Sequence, residues 1–282
     1  MGPFFEVKTY FLLLAGAVWG IAAAFSPPQK AIPGTPVPYP TEDVSAASPE
    51  STADAFLPMP AQAAGLGMEC GSRFAFLTFD DGPSRNTGKI LDILHQYDIK
   101  ATFFVLGHSI EGRNDSQALL NRILDEGHYI GLHSMSHQAN YLYFDEEGPM
   151  NFLEEMSQIQ EWVSLLTNGF QSSLCRAPYG TASTFTKDHI DAVTSSPLHC
   201  WDWNVDSNDW EFDTPQEVLE KIKEDLFQLQ RSPHAVILFH ELDLSVDSLP
   251  GVIEYFLSEG FEFLPYQPAS HFPLNFLGHP SL

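Results

Sequence analysis

The sequence predicts an α/β domain, a barrel of about seven parallel strands joined by helices. From Phe74 onward, short apolar runs alternate with amphipathic stretches, a pattern typical of parallel strands with helical crossovers. About seven strand signals fall within roughly 200 residues, and a barrel is the natural closure for that number. The sequence contains no internal repeat, which argues against a solenoid or a propeller.

The predicted strands are short apolar runs, and the predicted helices are the amphipathic stretches between them. The strands cover residues 74–79, 102–106, 129–132, 173–176, 199–203, 235–239 and 262–264. The helices cover residues 87–97, 117–125, 151–166, 184–193, 214–229 and 249–258. In a barrel of this kind the active site is built where the strands end. Polar residues that directly follow a predicted strand are therefore the candidates for function.

The chain before the predicted domain has two parts of different composition. Residues 10–25 read YFLLLAGAVWGIAAAF and carry no charge, a run long enough for a signal-peptide core and barely long enough to cross a bilayer. Residues 27–69 are rich in Pro, Ala and Ser and lack any period, which indicates a linker. We therefore expect a signal peptide or membrane anchor at 1–26, a linker at 27–69, the folded domain at 70–268 and a tail at 269–282. This arrangement predicts that the domain acts outside the cytoplasm, secreted or anchored at the cell surface.

Charge and cysteine content exclude some classes of partner. The net charge is −24, from 13 Lys and Arg against 37 Asp and Glu, so nucleic acid phosphates would be repelled. A neutral or cationic polymer stays compatible with this charge. Cys70, Cys175 and Cys200 form no CxxC pair, which disfavours a thiolate zinc site. One disulfide or free buried thiols remain the alternatives, and we interpret Cys175 and Cys200 as packing residues.

Paired carboxylates follow the first predicted strand, in the run Asp80-Asp81-Gly82-Pro83. Neighbouring side chains of a regular strand point to opposite faces, so two adjacent aspartates cannot share a site within one. Gly82 and Pro83 would break the strand here and let both carboxylates face one pocket. The alternative is an ordinary Asx turn.

Two histidines, His133 and His137, follow the third predicted strand. At this spacing both rings can reach one metal ion, although the chain has 11 histidines and the spacing can arise by chance. With one carboxylate from the first cluster they form a two-His, one-carboxylate set with room for water. Such a set is typical of a catalytic site for zinc or another divalent transition metal.

Three further clusters end later strands. Arg176 beside paired aspartates can form a charge-assisted hydrogen bond with one of them, the alternative being a surface salt bridge. Asp206 and Asp209 are flanked by large aromatic residues, which suits stacking on sugar rings, although we expect Trp201 and Trp203 to be core residues. His240 ends an apolar run, at a position suited to a catalytic acid or base. A structural histidine is the alternative for that position.

Together these clusters resemble the polysaccharide deacetylases, the carbohydrate esterases of family 4 with the NodB-homology domain, and especially the peptidoglycan N-acetylglucosamine deacetylases. The resemblance covers about residues 74–265 and rests on five signatures in the family's order. These are TFDDG at 78–82, HSxxH at 133–137, RxPYG at 176–180, DxxDW at 206–210 and LxH at 238–240.

The resemblance implies a distorted (β/α) barrel that hydrolyses N-acetyl groups of an N-acetylglucosamine polymer. It implies one divalent metal ion, with zinc favoured and cobalt or another transition metal as the alternative. The resemblance implies that the metal ligands are Asp81, His133 and His137. It implies that Asp80 is the general base, positioned by Arg176, and that His240 is the general acid, tuned by Asp209. It also implies that the Tyr179 N–H donates to the oxyanion and that Trp210 forms a wall of the substrate groove.

Several substrates and functions stay open at this point. The apolar N-terminal run, the linker and the RxPYG form favour peptidoglycan, and chitin or another exported N-acetylglucosamine polymer is the alternative. A non-catalytic carbohydrate-binding protein on the same fold is disfavoured, because all the proposed ligands and both proton-transfer residues are present. A metal-dependent phosphoesterase would need more basic residues for phosphate than this sequence offers. No protein partner is indicated, and attachment to a membrane would run through residues 10–25.

Overall fold

The computed structural model describes residues 73–229 and 232–282. The predicted signal or anchor at 1–26, the linker at 27–69 and Cys70 lie outside the described residues. In the described ranges, no helix is long and apolar enough to cross a membrane. The predicted boundaries of the folded domain, at 70 and 268, stay a prediction.

The described residues form one curled sheet in which every strand pairing is parallel. The strands are β1 (Arg73–Gly82), β2 (Thr102–Val105), β3 (Tyr129–Leu132), β4 (Leu174–Cys175), β5 (His199–Cys200), β6 (Val205–Asp206), β7 (His234–His240) and β8 (Phe261–Phe263). Seven of them lie in the order β5-β4-β3-β2-β1-β7-β6, and β8 pairs with the start of β1. The predicted barrel of about seven parallel strands is confirmed. It is incomplete, because within the described ranges no strand pairing joins β5 to β6.

Helices connect the strands and cover the outside of the sheet. They are α1 (Thr87–Gln96), α2 (Gly107–Glu111), α3 (Ser116–Asp125), α4 (Gly148–Leu166), α5 (Lys187–Thr194), α6 (Pro215–Leu229) and α7 (Asp243–Ser258). A π-helical turn (Asn140–Phe144) precedes α4, and a 3₁₀ turn (Pro268–Ser270) follows β8.

Strand β1 is buried on both faces, and the alternation of its side chains decides which face carries Asp80. Leu77 and Phe79 belong to the large core between the sheet and the helices. Phe74 and Phe76 belong to a second, aromatic core. Because side chains alternate along a strand, Asp80 falls on the same face as Phe76. The carboxylate thus lies above the aromatic core, at the carboxyl end of the central strand.

The predicted and observed elements differ where local periodicity is weak. Strand β6 was not predicted, because two residues are too few to show a period of two. Helix α7 was predicted at 249–258. In the structure α7 starts at Asp243 and Pro250 lies inside it.

The segment predicted to be a C-terminal tail packs against the connection between β5 and β6. The backbone N–H of Asp202 donates to the Leu274 carbonyl at 2.8 Å, and the indole N–H of Trp201 donates to the Phe272 carbonyl at 3.2 Å. Phe272 packs on Trp201, and Leu282 is fully buried. The segment therefore lies beside the edge where the barrel is open.

Candidate active site

The candidate residues lie at the carboxyl ends of the parallel strands, where active sites of β/α barrels are built. Asp80 and Asp81 are among the last three residues of β1, and His240 is the last residue of β7. His133 directly follows β3, Arg176 directly follows β4, and Asp209 is in the loop after β6. The strand ends thus bring together residues that are far apart in the sequence.

A β-bulge places the adjacent carboxylates of Asp80 and Asp81 in one pocket. Along β2, Asp80 pairs with Phe104 and Gly82 with Val105, so Asp81 is the extra residue, and its φ is 69°. Asp80 Oδ2 and Asp81 Oδ1 lie 3.7 and 3.5 Å from the same atom, His133 Nε2. The strand was predicted to break at Gly82 and Pro83. The change of direction comes one residue earlier, since an inserted residue reorients the side chains of its strand.

The two histidines present their Nε2 atoms to Asp81. His133 Nδ1 is 3.0 Å from the carbonyl of Arg176 and donates its proton there, which leaves Nε2 free to bind a metal. His137 Nδ1 is 3.1 Å from the Tyr179 hydroxyl, and His137 Nε2 is 3.6 Å from Asp81 Oδ1. Burial and the neighbouring His133 lower the pKa of His137. The neutral imidazole, which is the form that binds metals, is therefore favoured.

These three side chains fit a divalent metal ion. One ligand atom from each of Asp81, His133 and His137 lies within 4.8 Å of the other two. Asp81 Oδ1 is buried and has no hydrogen-bond partner among the described residues. A buried carboxylate oxygen without a donor is unfavourable, and a cation between it and the two imidazole nitrogens would satisfy it. Two nitrogens and one carboxylate oxygen are a common ligand set for zinc in catalytic sites.

Arg176 is fully buried and lies directly beside the carboxylate of Asp80. Its Nη1 donates to Asp80 Oδ1 at 2.9 Å and to Thr78 Oγ1 at 2.7 Å. Its Nε and Nη2 donate to the carbonyls of Trp201 and Asp202 at 2.9 and 3.0 Å. Because every nitrogen of the guanidinium is engaged, Asp80 is held in one orientation with its charge compensated. The alternative of a surface salt bridge is wrong for Arg176.

His240 is paired with the buried carboxylate of Asp209. His240 Nδ1 lies 2.8 Å from Asp209 Oδ1, and the His240 N–H donates to Asp209 Oδ2 at 2.6 Å. The Ser245 hydroxyl also donates to Asp209 Oδ2. Burial alone would lower the pKa of His240, but the hydrogen bond and charge of Asp209, with the charges of Asp80 and Asp81, raise it to about 9. The ring is therefore protonated near neutral pH.

The candidate substrate-contacting residues, Tyr179 and Trp210, are exposed at the rim. Their exposed fractions are 58% and 63%, which leaves both rings available to a ligand. Tyr179 has a φ of 68°, and its hydroxyl donates to the His137 carbonyl at 3.1 Å. Asp206, which was predicted in one cluster with Asp209, accepts hydrogen bonds from Trp203 Nε1 and the Asn208 N–H at 3.0 and 2.9 Å. Trp201 is fully buried.

Several residues that support the site were not singled out from the sequence. Three of them are polar groups within otherwise apolar or loop segments: Thr78, Ser245 and Tyr143. Tyr143 lies in the π-helical turn, and its hydroxyl donates to the Pro178 carbonyl at 3.0 Å. Glu155 on α4 accepts hydrogen bonds from the loop that carries the histidines. Thr78 lies inside the TFDDG signature, which is a signal for it. The other three carry no local pattern that distinguishes them from ordinary helix or loop residues.

Comparisons with known proteins identify relatives of this chain. A family model described as polysaccharide deacetylase matches residues 68–201. A peptidoglycan-N-acetylglucosamine deacetylase of Bacillus cereus is 34% identical over 207 residues, which are 72% of this chain and 73% of that protein. A chitooligosaccharide deacetylase of Rhizobium leguminosarum bv. phaseoli is 30% identical over 168 residues, 59% of this chain and 67% of that protein.

A solved structure extends the similarity to the fold. The crystal structure of a polysaccharide deacetylase from Bacillus cereus superimposes with a TM-score of 0.67 at 32% identity, covering 74% of this chain and 100% of that one. Sequence and fold similarity thus both extend over more than two thirds of the chain. The chain belongs to the polysaccharide deacetylase family.

Proposed function

We propose that this protein is a metal-dependent deacetylase that removes N-acetyl groups from N-acetylglucosamine units of peptidoglycan, outside the cytoplasm. One observation carries the proposal. Three metal-ligating side chains, an Arg-held carboxylate and a His–Asp pair lie together at one end of the barrel. This combination supplies a site for a Lewis acid, a proton acceptor and a proton donor.

Asp81, His133 and His137 would hold the ion. Zinc is favoured by the ligand set, and cobalt or another divalent transition metal is the alternative. When bound, the ion would polarise the acetamide carbonyl and lower the pKa of water to about 7. His133 and His137 would bind through Nε2, since their Nδ1 atoms are engaged with the Arg176 carbonyl and the Tyr179 hydroxyl.

Asp80 would accept a proton from the water that attacks the acetamide carbon. Its Oδ1 is held by Arg176, so its Oδ2, 3.7 Å from His133 Nε2, is the oxygen that faces the proposed metal position. The proton thus moves to a carboxylate whose orientation is set before substrate arrives. Fixing a base in this way removes part of the entropic barrier of the reaction.

The opposite side of the amide would be served by His240 and Tyr179. As the tetrahedral centre collapses, the C–N bond breaks and the nitrogen takes the proton of the His240 ring, which gives acetate and a free amine. An amine leaves poorly unless it is protonated, so the raised pKa of His240 keeps the donor charged. The Tyr179 N–H would donate to the oxyanion as charge develops there.

Peptidoglycan is the favoured polymer. The relatives named peptidoglycan deacetylases, the apolar run at 10–25 and the linker at 27–69 support an exported enzyme of the cell wall. The similarity to a chitooligosaccharide deacetylase supports chitin-like oligomers as the second candidate. In either case Trp210, exposed at the rim, would stack on a sugar ring.

The proposal is tested by acetate release from purified peptidoglycan and from chitin oligomers, with and without a chelator. We expect release from peptidoglycan that a chelator abolishes and that added zinc or cobalt restores. Metal analysis should give about one equivalent in the wild type and almost none in His137→Ala. Release that persists in the metal-free protein would overturn the metal-dependent mechanism. Release only from chitin oligomers would replace the polymer and leave the chemistry intact.

A further inference from the structure

We propose that Glu155 is a positioning residue that holds the loop 133–137, so that His133 and His137 point at one metal position. The inference rests on the proposed metal site and extends it to a residue on a separate helix. Glu155 lies in α4 (Gly148–Leu166) and touches neither the proposed metal position nor substrate. Its action would be exerted through the backbone of the loop.

The carboxylate of Glu155 accepts three hydrogen bonds from this loop. Its Oε2 accepts from the backbone N–H groups of Met135 and Ser136, both at 2.9 Å. Its Oε1 accepts from the Ser136 hydroxyl at 2.7 Å. Glu155 is only 5% exposed, and no salt bridge among the described residues includes it. The buried charge is thus compensated by the loop, since successive backbone N–H groups form a favourable nest for an anion.

The loop needs such support because of its backbone conformation. Ser134 and His137, which bracket the two bound amides, have φ values of 76° and 57°. Residues other than glycine rarely adopt this left-handed region, and they keep it only when surrounding contacts impose it. If these two residues relaxed to negative φ, His137 would turn away from His133 and the shared ligand position would be lost.

The opposite side of the loop is held by neutral groups. The N–H groups of Gly107 and His108, in the first turn of α2, donate to the carbonyls of Ser134 and Met135 at 3.0 and 2.9 Å. A side chain at Gly107 would collide with Met135, at 2.3 Å from its sulfur. The loop is therefore clamped between the start of α2 and the Glu155 carboxylate. Within this clamp Glu155 supplies the charged partner, and hydrogen bonds to a charged group are stronger than neutral ones.

The neighbours of Glu155 indicate that the packing of helix α4 against the core does not need a charged side chain at this position. Phe152, Met156 and Ile159 on the same helix are buried core residues. An isolated carboxylate among them would be unfavourable, and an apolar residue would pack there as well. The buried carboxylate is stable at this position because the loop 133–137 donates hydrogen bonds to it.

The experiment compares Glu155→Gln with Glu154→Gln, a matched change at the adjacent, exposed position. Zinc and cobalt are titrated into each metal-free protein, cobalt being followed by its visible absorption spectrum. Changes in residues that orient metal ligands typically weaken binding by about 10- to 100-fold. We expect a rise of the metal Kd in this range for Glu155→Gln, an altered cobalt spectrum, and wild-type values for Glu154→Gln.

Melting temperatures of the metal-free and metal-saturated proteins separate positioning from stability. A merely structural Glu155 would lower the melting temperature of the metal-free Glu155→Gln protein while the Kd and the cobalt spectrum stay at wild-type values, and that result would overturn the inference. If Glu155→Gln does not fold, Ser136→Ala removes the contact to Oε1, together with the hydrogen bond that the Ser136 hydroxyl accepts from the Gln138 N–H at 3.2 Å. It should raise the Kd by roughly 2- to 10-fold, the worth of one such hydrogen bond, and an unchanged Kd would also overturn the inference. A wild type that binds no metal would instead overturn the proposed metal site.

Discussion

Asp80 and His240 are register partners on the neighbouring parallel strands β1 and β7. Residues in register on adjacent strands point to the same face, so both side chains lie at the same end of the barrel. Asp80 is turned toward Arg176 and His240 toward Asp209, which gives the two groups opposite electrostatic partners. One carboxylate and one imidazolium thereby line the same site in environments that favour a base at one position and an acid at the other.

The pairing with Asp209 predicts the alkaline limb of the pH–rate profile. His240 must be protonated to act as an acid, and its pKa is raised to about 9, so activity should fall as the pH rises through about 9. In Asp209→Asn the charge is removed while burial, which lowers the pKa, remains. The alkaline limb should therefore move to lower pH, with metal content unchanged. A limb that stays in place in Asp209→Asn would show that another group is titrating.

Substitutions of Asp80 and Asp81 should have different effects on metal content. Asp80→Asn keeps the shape of the side chain but removes the base, so the rate should drop by roughly 10²- to 10⁴-fold while about one equivalent of metal stays bound. Asp81→Asn should lose metal as well as activity, because its Oδ1 faces both histidines. Rates and metal content are measured on the same preparations. If Asp80→Asn lost the metal and Asp81→Asn kept it, the two roles would be exchanged.

The buried carboxylate of Asp202 should anchor the C-terminal segment. It accepts hydrogen bonds from the Thr181 N–H at 3.1 Å, the Phe276 N–H at 2.8 Å and the Thr181 hydroxyl. Asp202→Ala would leave these donors unpaired, so we expect the free energy of unfolding to fall by about 2–3 kcal/mol. Urea unfolding measures this change, and Asp213→Ala, at an exposed position, is the control. Equal stability of the two variants would contradict the anchoring role.

The N-terminal region predicts where the domain works. If residues 10–25 deliver it across the membrane, protease added to intact cells should digest the domain. A cytoplasmic protein expressed in the same cells should survive until lysis. Survival of both proteins in intact cells, with digestion only after lysis, would place the domain in the cytoplasm.

Local patterns in the sequence determined most of the elements. The run at 129–132 was predicted with the bounds that β3 has, and residues 102–106 differ from β2 by one residue. Such runs are recognised because a parallel strand buried on both faces reads as a short, nearly continuous apolar run. Strands β5 and β6 are too short for a full period, so one was predicted too long and the other was missed.

The sequence by itself determined the family, most of the strands and the polar side chains that follow those strands. These features depend on residue types at short spacings, so they can be recognised without a fold. Tertiary structure alone decided that Asp81 is the bulged residue, that Arg176 is buried beneath Asp80, and that the C-terminal segment packs beside the β5–β6 connection. It also placed Glu155 against the histidine loop. Each of these contacts joins groups whose meeting depends on how the sheet curls and where the helices dock, and no local period in the sequence specifies that geometry.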